Sequence, residues 1–283
     1  MTGSPRLPDF LIVGAMKSGT CSLRDSLRMH PDIHMYPREV HFFNRDENYA
    51  RGLEWYSQCV TAGLAGQLAA KTLIGEKTPA YCCIPGCAER IRSAMPDARL
   101  IWILRNPVRR AYSHYLHRRR TGYELLSLRA ALAREPARVR ASGPAVGYVE
   151  RGKYVVQIEA YLRWFPLSQM HFLLFERFIA DPATELGRIT DFLGLPAFET
   201  SPPRMHSHPS RVPGLVPGVW LAHKLFGKGH RMHRLAMKLS DAVPGRRPAF
   251  PDDIRQDLAE RFAPFNNRLA ELTGLDLSPW RGL

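Results

Sequence analysis

The chain has 283 residues, 45% hydrophobic and 23% charged, ordinary globular proportions in a length that suits one large α/β domain or two small ones. Lysine and arginine total 40 against 26 aspartates and glutamates, and the resulting formal charge of +14 favours anionic partners: nucleic acid, an anionic membrane, a phosphorylated cofactor or an acidic glycan. No fixed-period repeat is present, so a solenoid or propeller is excluded.

The opening stretch MTGSPRLPDFLIVGAMKSGT has an apolar run too short to span a bilayer and no signal peptide with an A-x-A cleavage site. The five cysteines (Cys21, Cys59, Cys82, Cys83 and Cys87) lack a second ligand pair at zinc-like spacing. Reduced, structural thiols, no metal and a cytoplasmic location are therefore expected, taking Met1 as the start of the protein.

Phe10 to Val13 is a short apolar strand that runs into a glycine-containing turn. Ser18 to His30 then carries Leu23 and Leu27 at helical spacing, with Arg24 and Arg28 opposite. Ile33 to Tyr36 reads as extended and Tyr49 to Val60 as helical; Leu73 to Gly75 is another strand. Leu100 to Leu104 (LIWIL) is continuous and apolar, as a strand buried on both faces requires. Asn106 as N-cap and Pro107 as first helical residue then predict a helix, with a basic surface at Arg109, Arg110 and Arg118 to Arg120.

An amphipathic helix is predicted over Val155 to Phe165, a strand over Met170 to Phe175, and a helix over Phe178 to Leu193 that ends at Gly194. From about Ser201 to Pro251 the rhythm breaks into proline, glycine, histidine and arginine around one basic apolar stretch, Val219 to Leu239. A last helix covers Asp253 to Leu272. Strands alternating with helices imply an α/β fold, a parallel sheet flanked by helices, in one domain spanning 1–283 with a late basic helical or loop insertion.

Gly14-Ala15-Met16-Lys17-Ser18-Gly19-Thr20 joins the first strand to the first helix. Backbone N–H groups at a helix N-terminus form an anion site; Lys17 adds a charge there, and Thr20 and Ser22 add hydroxyls. A Walker A loop requires G-x-x-x-x-G-K-[ST], but here the lysine precedes the second glycine. The loop is P-loop-like, a phosphate binder that departs from the nucleoside triphosphatase pattern.

The segment resembles the 5′-phosphosulfate loop of sulfotransferases that use 3′-phosphoadenosine 5′-phosphosulfate (PAPS). HPDIHMYPREVHFF (30–43), GEKTPAY (75–81), LIWILRNPVRRAYSHY (100–115) and RGKYVVQIEAYLRWFP (151–166) agree with it in order and spacing. The likeness is to the branch containing the heparan sulfate enzymes and their bacterial relatives, more than to the cytosolic phenol and steroid enzymes.

It implies a sulfotransferase fold, PAPS as cofactor, 3′,5′-ADP (PAP) as product, and a cofactor loop of Lys17, Ser18, Gly19, Thr20, Cys21 and Ser22. Cys21 is a small filler there. Arg105, at the end of the LIWIL strand, and Ser113, eight positions on, match the family's pair for the 3′-phosphate. Relatives close the cofactor with a late basic loop that often holds a Lys-Gly pair. Here Pro244-Gly245-Arg246-Arg247-Pro248 lacks that pair, and Arg246 and Arg247 stand in its place.

For the transfer itself, Lys17 and Lys77 match lysines beside the leaving phosphate and the sulfuryl group. Glu39 matches the carboxylate that acts as base in the heparan sulfate branch. His41, two residues on, shares a face with Glu39 in an extended segment and either orients the acceptor or acts as base.

The resemblance implies as acceptor a hydroxyl or amine of a small molecule, a glycan or a lipid-linked compound. No nucleic-acid-reading motif is present. The basic stretch at 219–239 reads either as a lid or as a peripheral membrane contact. Two rival readings are a P-loop kinase or NTPase and a non-catalytic module for anionic ligands. The ordered placement of Lys17, Glu39, Lys77 and Arg105 is unexplained by the second.

Overall fold

The computed structural model describes residues 5–64, 73–199, 215–227, 229–243, 245 and 248–281. Strand β1 (Phe10–Gly14) is followed by helix α1 (Thr20–Leu27), β2 (Ile33–Met35), α2 (Asp46–Tyr49), α3 (Gly52–Val60), β3 (Leu73–Lys77), α4 (Cys87–Ala94) and β4 (Arg99–Leu104). After these come α5 (Pro107–Arg120), α6 (Leu128–Ser142), α7 (Tyr154–Leu162), β5 (Met170–Leu174), α8 (Phe175–Ala180) and α9 (Pro182–Leu193). The chain closes with α10 (Val216–Phe226), α11 (Arg231–Ala242) and α12 (Asp252–Thr273).

The residues group into two compact units. The first comprises Met1–Asn106, Tyr154–Ser207 and Phe265–Gly282; the second comprises Pro107–Lys153 and His208–Pro264, with Leu283.

The first unit is built on a sheet of order β2-β3-β1-β4-β5, with every pairing parallel. The α/β expectation holds, because continuous apolar strands need cover on both faces. Phe10 and Ile12 of β1 and Ile101 and Ile103 of β4 turn to a core shared with Leu23 of α1 and Ile189 of α9. On the alternate positions Trp102 meets Tyr161 of α7 edge-to-face at 5.0 Å.

The path from β1 leads to the β2 side, whereas β4 leads on to β5 on the opposite side. The crevice for a ligand in such a sheet lies at the carboxyl ends of the strands where the order reverses, here β1 and β4. The β1–β4 register shifts between Ile12 and Gly14, so the chain leaves the ladder as the loop begins.

In the second unit, Tyr112, Tyr115 and Leu116 of α5, Leu128 and Leu132 of α6, and Leu258 and Phe262 of α12 form one core. The basic surface expected on α5 is partly covered, with Arg118, Arg119 and Arg120 half-buried. Only Arg109 is exposed, and Arg110 is fully buried, donating to the Tyr148 carbonyl. α5 is surrounded by packed elements, so its guanidinium groups find partners inside the unit: Arg119 bonds the Tyr115 hydroxyl at 3.1 Å and Arg120 pairs with Asp241 at 2.5 Å.

Candidate active site

The loop after β1 turns through Lys17, whose φ of 71° lies in the left-handed region, and through Gly19 at φ 91°. Gly19 is required twice over: its φ disfavours a side chain, and a Cβ would stand 2.6 Å from the Phe175 ring. The turn delivers the chain into α1 with Ser18 and Thr20 buried, Lys17 and Ser22 half-buried and Cys21 exposed. Ser18 Oγ is buried with no hydrogen-bond partner among the described residues, an acceptor and donor left open within an anion-type loop. That orphaned hydroxyl, the half-buried Lys17 and the start of α1 fit a phosphate-bearing nucleotide.

Arg105 follows β4 and joins this loop, its Nη1 donating to the Lys17 carbonyl at 3.2 Å. Its guanidinium lies 4.8 Å above the centre of the Phe175 ring, the ring that also faces Gly19. The backbone on either side is fastened: the Arg105 carbonyl accepts from the Tyr154 hydroxyl at 2.8 Å, and Asn106 N–H donates to Glu176 Oε1 at 3.0 Å. Glu176 is itself held by Trp280 Nε1 at 2.9 Å. Ser113 is buried on α5 in the second unit. Arg246 and Arg247 lie outside the described residues.

At the end of β3, Lys77 is 2% exposed and donates to Glu39 Oε1 at 2.6 Å. The same ammonium lies 3.4 Å from Cys21 Sγ at the start of α1. Glu39 is 35% exposed, and its other oxygen lies 3.3 Å from His41 Nε2. His41 Nδ1 in turn lies 3.2 Å from Asn44 Oδ1. Lys77, Glu39 and His41 thus form one line, with the carboxylate open to solvent and the lysine buried behind it.

The 39–42 segment belongs to no strand, so its backbone N–H groups need other acceptors. Val40 N–H donates to Glu76 Oε1 at 3.4 Å, His41 N–H to Thr78 Oγ1 at 3.4 Å, and Phe42 N–H to the Tyr81 hydroxyl at 3.0 Å. The Thr78 hydroxyl donates in turn to Glu76 Oε1, and Glu76 Oε2 accepts from the Tyr56 hydroxyl at 3.4 Å. These anchors hold His41 in the left-handed region at φ 56°. Burial raises the Glu76 carboxyl to about 7, against hydrogen bonds from Thr78, the Val40 backbone and Tyr81 that lower it.

Sequence reasoning singles out Glu39, His41 and Lys77 and passes over Glu76, Thr78, Tyr81 and Phe175. The available signal was the string EKTPAY, in which polar residues end a buried strand. Among the described residues, no group of three or more His, Cys, Asp or Glu side chains is placed to hold a metal ion.

Comparison with known proteins identifies the family. The sulfotransferase domain family matches residues 7–210. Human heparan sulfate glucosamine 3-O-sulfotransferase 6 is 36% identical over 277 residues, covering 97% of this chain and 74% of that protein. Mouse heparan sulfate glucosamine 3-O-sulfotransferase 3A1 is 32% identical over 283 residues, covering 99% of this chain and 66% of that protein. The crystal structure of a sulfotransferase from Alicyclobacillus acidocaldarius superposes with a TM-score of 0.72 at 31% identity, covering 98% of this chain and all of that one. Since the match takes in the loop, the Glu39–Lys77 pair and the strand that leads to Arg105, the chain belongs to the sulfotransferase family.

Proposed function

We propose that the protein transfers a sulfuryl group from PAPS to a hydroxyl, or an amine, of an acidic, glucosamine-containing glycan and releases PAP. The observation that carries this reading is Lys77, whose buried ammonium stands between Cys21 at the loop and the exposed Glu39 carboxylate. One group therefore ties the nucleotide loop to the candidate base. The relatives' names supply the acceptor class.

Bound PAPS supplies a sulfuryl group already joined to a good leaving phosphate. The chain's residues then have four tasks. Glu39 takes the proton of the acceptor hydroxyl as its oxygen bonds to sulfur. His41, against the second Glu39 oxygen, fixes the carboxylate and faces the acceptor. Lys77 holds the first oxygen and presents positive charge where negative charge develops on transfer. Lys17 and the α1 N-terminus receive the phosphate released as the sulfur–oxygen bond breaks. Arg105 recognises the second phosphate of the nucleotide, its planar fork suited to two-point binding.

Glu39→Gln keeps the shape of the side chain and removes its capacity to take a proton. Transfer from labelled PAPS to desulfated heparan-type oligosaccharides should fall by about 100-fold or more, the range of a lost general base. PAP affinity, measured by calorimetry, should stay within about threefold. Loss of transfer and PAP binding together would make Glu39 a structural residue and remove it from the chemistry.

A further inference from the structure

The helices α10 and α11 of the second unit have no part in the chemistry above. They pack on one another, and their inner faces are pinned by polar contacts. Leu215 N–H donates to Ser240 Oγ at 2.9 Å, and His233 Nε2 lies 3.2 Å from the Thr121 carbonyl. Gly122, at φ +75°, runs so close to α10 that a Cβ there would come within 2.9 Å of the Val219 carbonyl oxygen. The pair of helices is therefore firmly seated on the end of α5.

The outer faces have a different character. On α11, Met232, Leu235 and Leu239 are 45%, 48% and 56% exposed, and their spacing of three and four residues puts them in one stripe. Arg231, Arg234 and Lys238 repeat that spacing one position earlier, all exposed, so a cationic stripe runs alongside the apolar one. On α10, Leu221 and Leu225 are 51% and 66% exposed, with exposed Lys224 between them in sequence.

The inner positions of α11 are His233 and Ser240. An ordinary surface helix buries its leucines and exposes its polar residues; here that order is inverted. Asp241 is the one acidic residue between positions 215 and 243, and it is paired with Arg120.

Apolar side chains of this number in water, bordered by cations, mark a surface that meets something. The partner must be apolar and anionic at once. A sulfated or carboxylated polysaccharide satisfies the cations and leaves the leucines in water. The boundary between headgroups and acyl chains of an anionic bilayer accepts both. No helix among the described residues is long and apolar enough to cross a membrane.

We infer that the α10–α11 hairpin is a seat for an anionic lipid bilayer. Leu221, Leu225, Leu235 and Leu239 enter the headgroup boundary, while the stripe Arg231, Arg234 and Lys238 lies against lipid phosphates. This inference is independent of the transfer reaction.

The test is co-sedimentation of the full chain with phosphatidylcholine vesicles, with and without phosphatidylglycerol. The wild type should pellet with the mixed vesicles and not with phosphatidylcholine alone. Arg231→Gln/Arg234→Gln/Lys238→Gln should weaken that binding by about tenfold or more, as expected for three basic residues at the surface. Leu235→Ser/Leu239→Ser should weaken it by roughly tenfold. Because all five positions are exposed, both variants should keep the wild-type melting temperature and PAP affinity.

Wild-type protein left in the supernatant with mixed vesicles overturns the inference. So does a loss of binding on charge removal with none on leucine removal, which would make this a polyanion site. A dimer in sedimentation velocity that the leucine variant dissociates, without vesicle binding, would make the occupant a second copy and also overturn it.

Discussion

Glu39 carries the proposed proton transfer, yet the segment that follows it is held by residues 36 to 39 positions further along the chain than the groups they anchor. Glu76, Thr78 and Tyr81 accept the N–H groups of Val40, His41 and Phe42 in turn. A buried N–H left without an acceptor costs about 1–3 kcal/mol. Tyr81→Phe, which removes one hydroxyl and little volume, is therefore expected to destabilise the fold by about 1–3 kcal/mol in chemical denaturation. It should also lower kcat by roughly tenfold while leaving PAP affinity unchanged, since a small misplacement of a base is costly and the loop is separate. A fall in PAP affinity equal to that in kcat would place Tyr81 in the nucleotide site instead.

Glu76 adds a pH dependence to the same anchor. Its carboxyl is raised by burial from the ordinary 4.5 to about 7, so the folded state binds this proton more tightly than the unfolded chain does. That contribution to stability is complete below the ordinary carboxylate range and is lost as pH rises through about 7. The unfolding free energy of the wild type should carry this downward component between about pH 5 and 8, and Glu76→Gln should remove it. Equal slopes for the two proteins in urea titrations would contradict the assignment. Glu39 and Lys77 were named through the family resemblance and His41 through its spacing from Glu39, and the three side chains do meet in the fold. The anchors were not legible in the sequence, because a side chain bonding to a distant backbone N–H leaves no periodic trace.

At the scale of elements, the five strands were readable from their apolar runs, and their parallel arrangement from the alternation with helices. Breaks within helices were less readable. The helix expected over Phe178 to Leu193 is two, α8 and α9, divided where Asp181 caps the new helix through Thr184 N–H at 3.1 Å and Pro182 opens it. The stretch Val219 to Leu239 is also two helices, parted by Gly227 and Gly229 at φ 79° and 80°. Apolar spacing carried across each break, so periodicity alone joined what the backbone separates. α6 was missed altogether: its alanines and arginines give a weak apolar stripe, and Pro136 stands inside it.

The loop before α1 supplies the prediction that belongs to this scale. Gly19→Ala forces a Cβ onto the Phe175 ring in a left-handed backbone. It should cost about 1–2 kcal/mol or more of stability, the penalty for an L-residue in that region. Because the same ring lies under Arg105, PAP affinity should fall by at least about tenfold in calorimetry. An alanine variant that binds PAP as the wild type does would mean that the loop geometry is dispensable.

Across the whole molecule, the formal charge of +14 gave the direction of the function and no more, since a nucleotide, a glycan and a lipid surface all answer to it. Ordered motifs selected among these readings. Each unit has its own core, the first around the sheet and the second around α5, α6 and the first part of α12. The sheet of the first unit accounts for the loop, Arg105, Lys77 and Glu39. The second unit carries Ser113 and the exposed hairpin, whose acceptor and surface roles composition could not separate.

A titration of PAP and of 5′-AMP into the same protein tests the account at its root. The two ligands differ only in the 3′-phosphate, the group assigned to Arg105. PAP should bind at least about 100-fold more tightly, as a charge-assisted, two-point contact requires. Equal affinity for the two nucleotides would contradict a site built for PAPS.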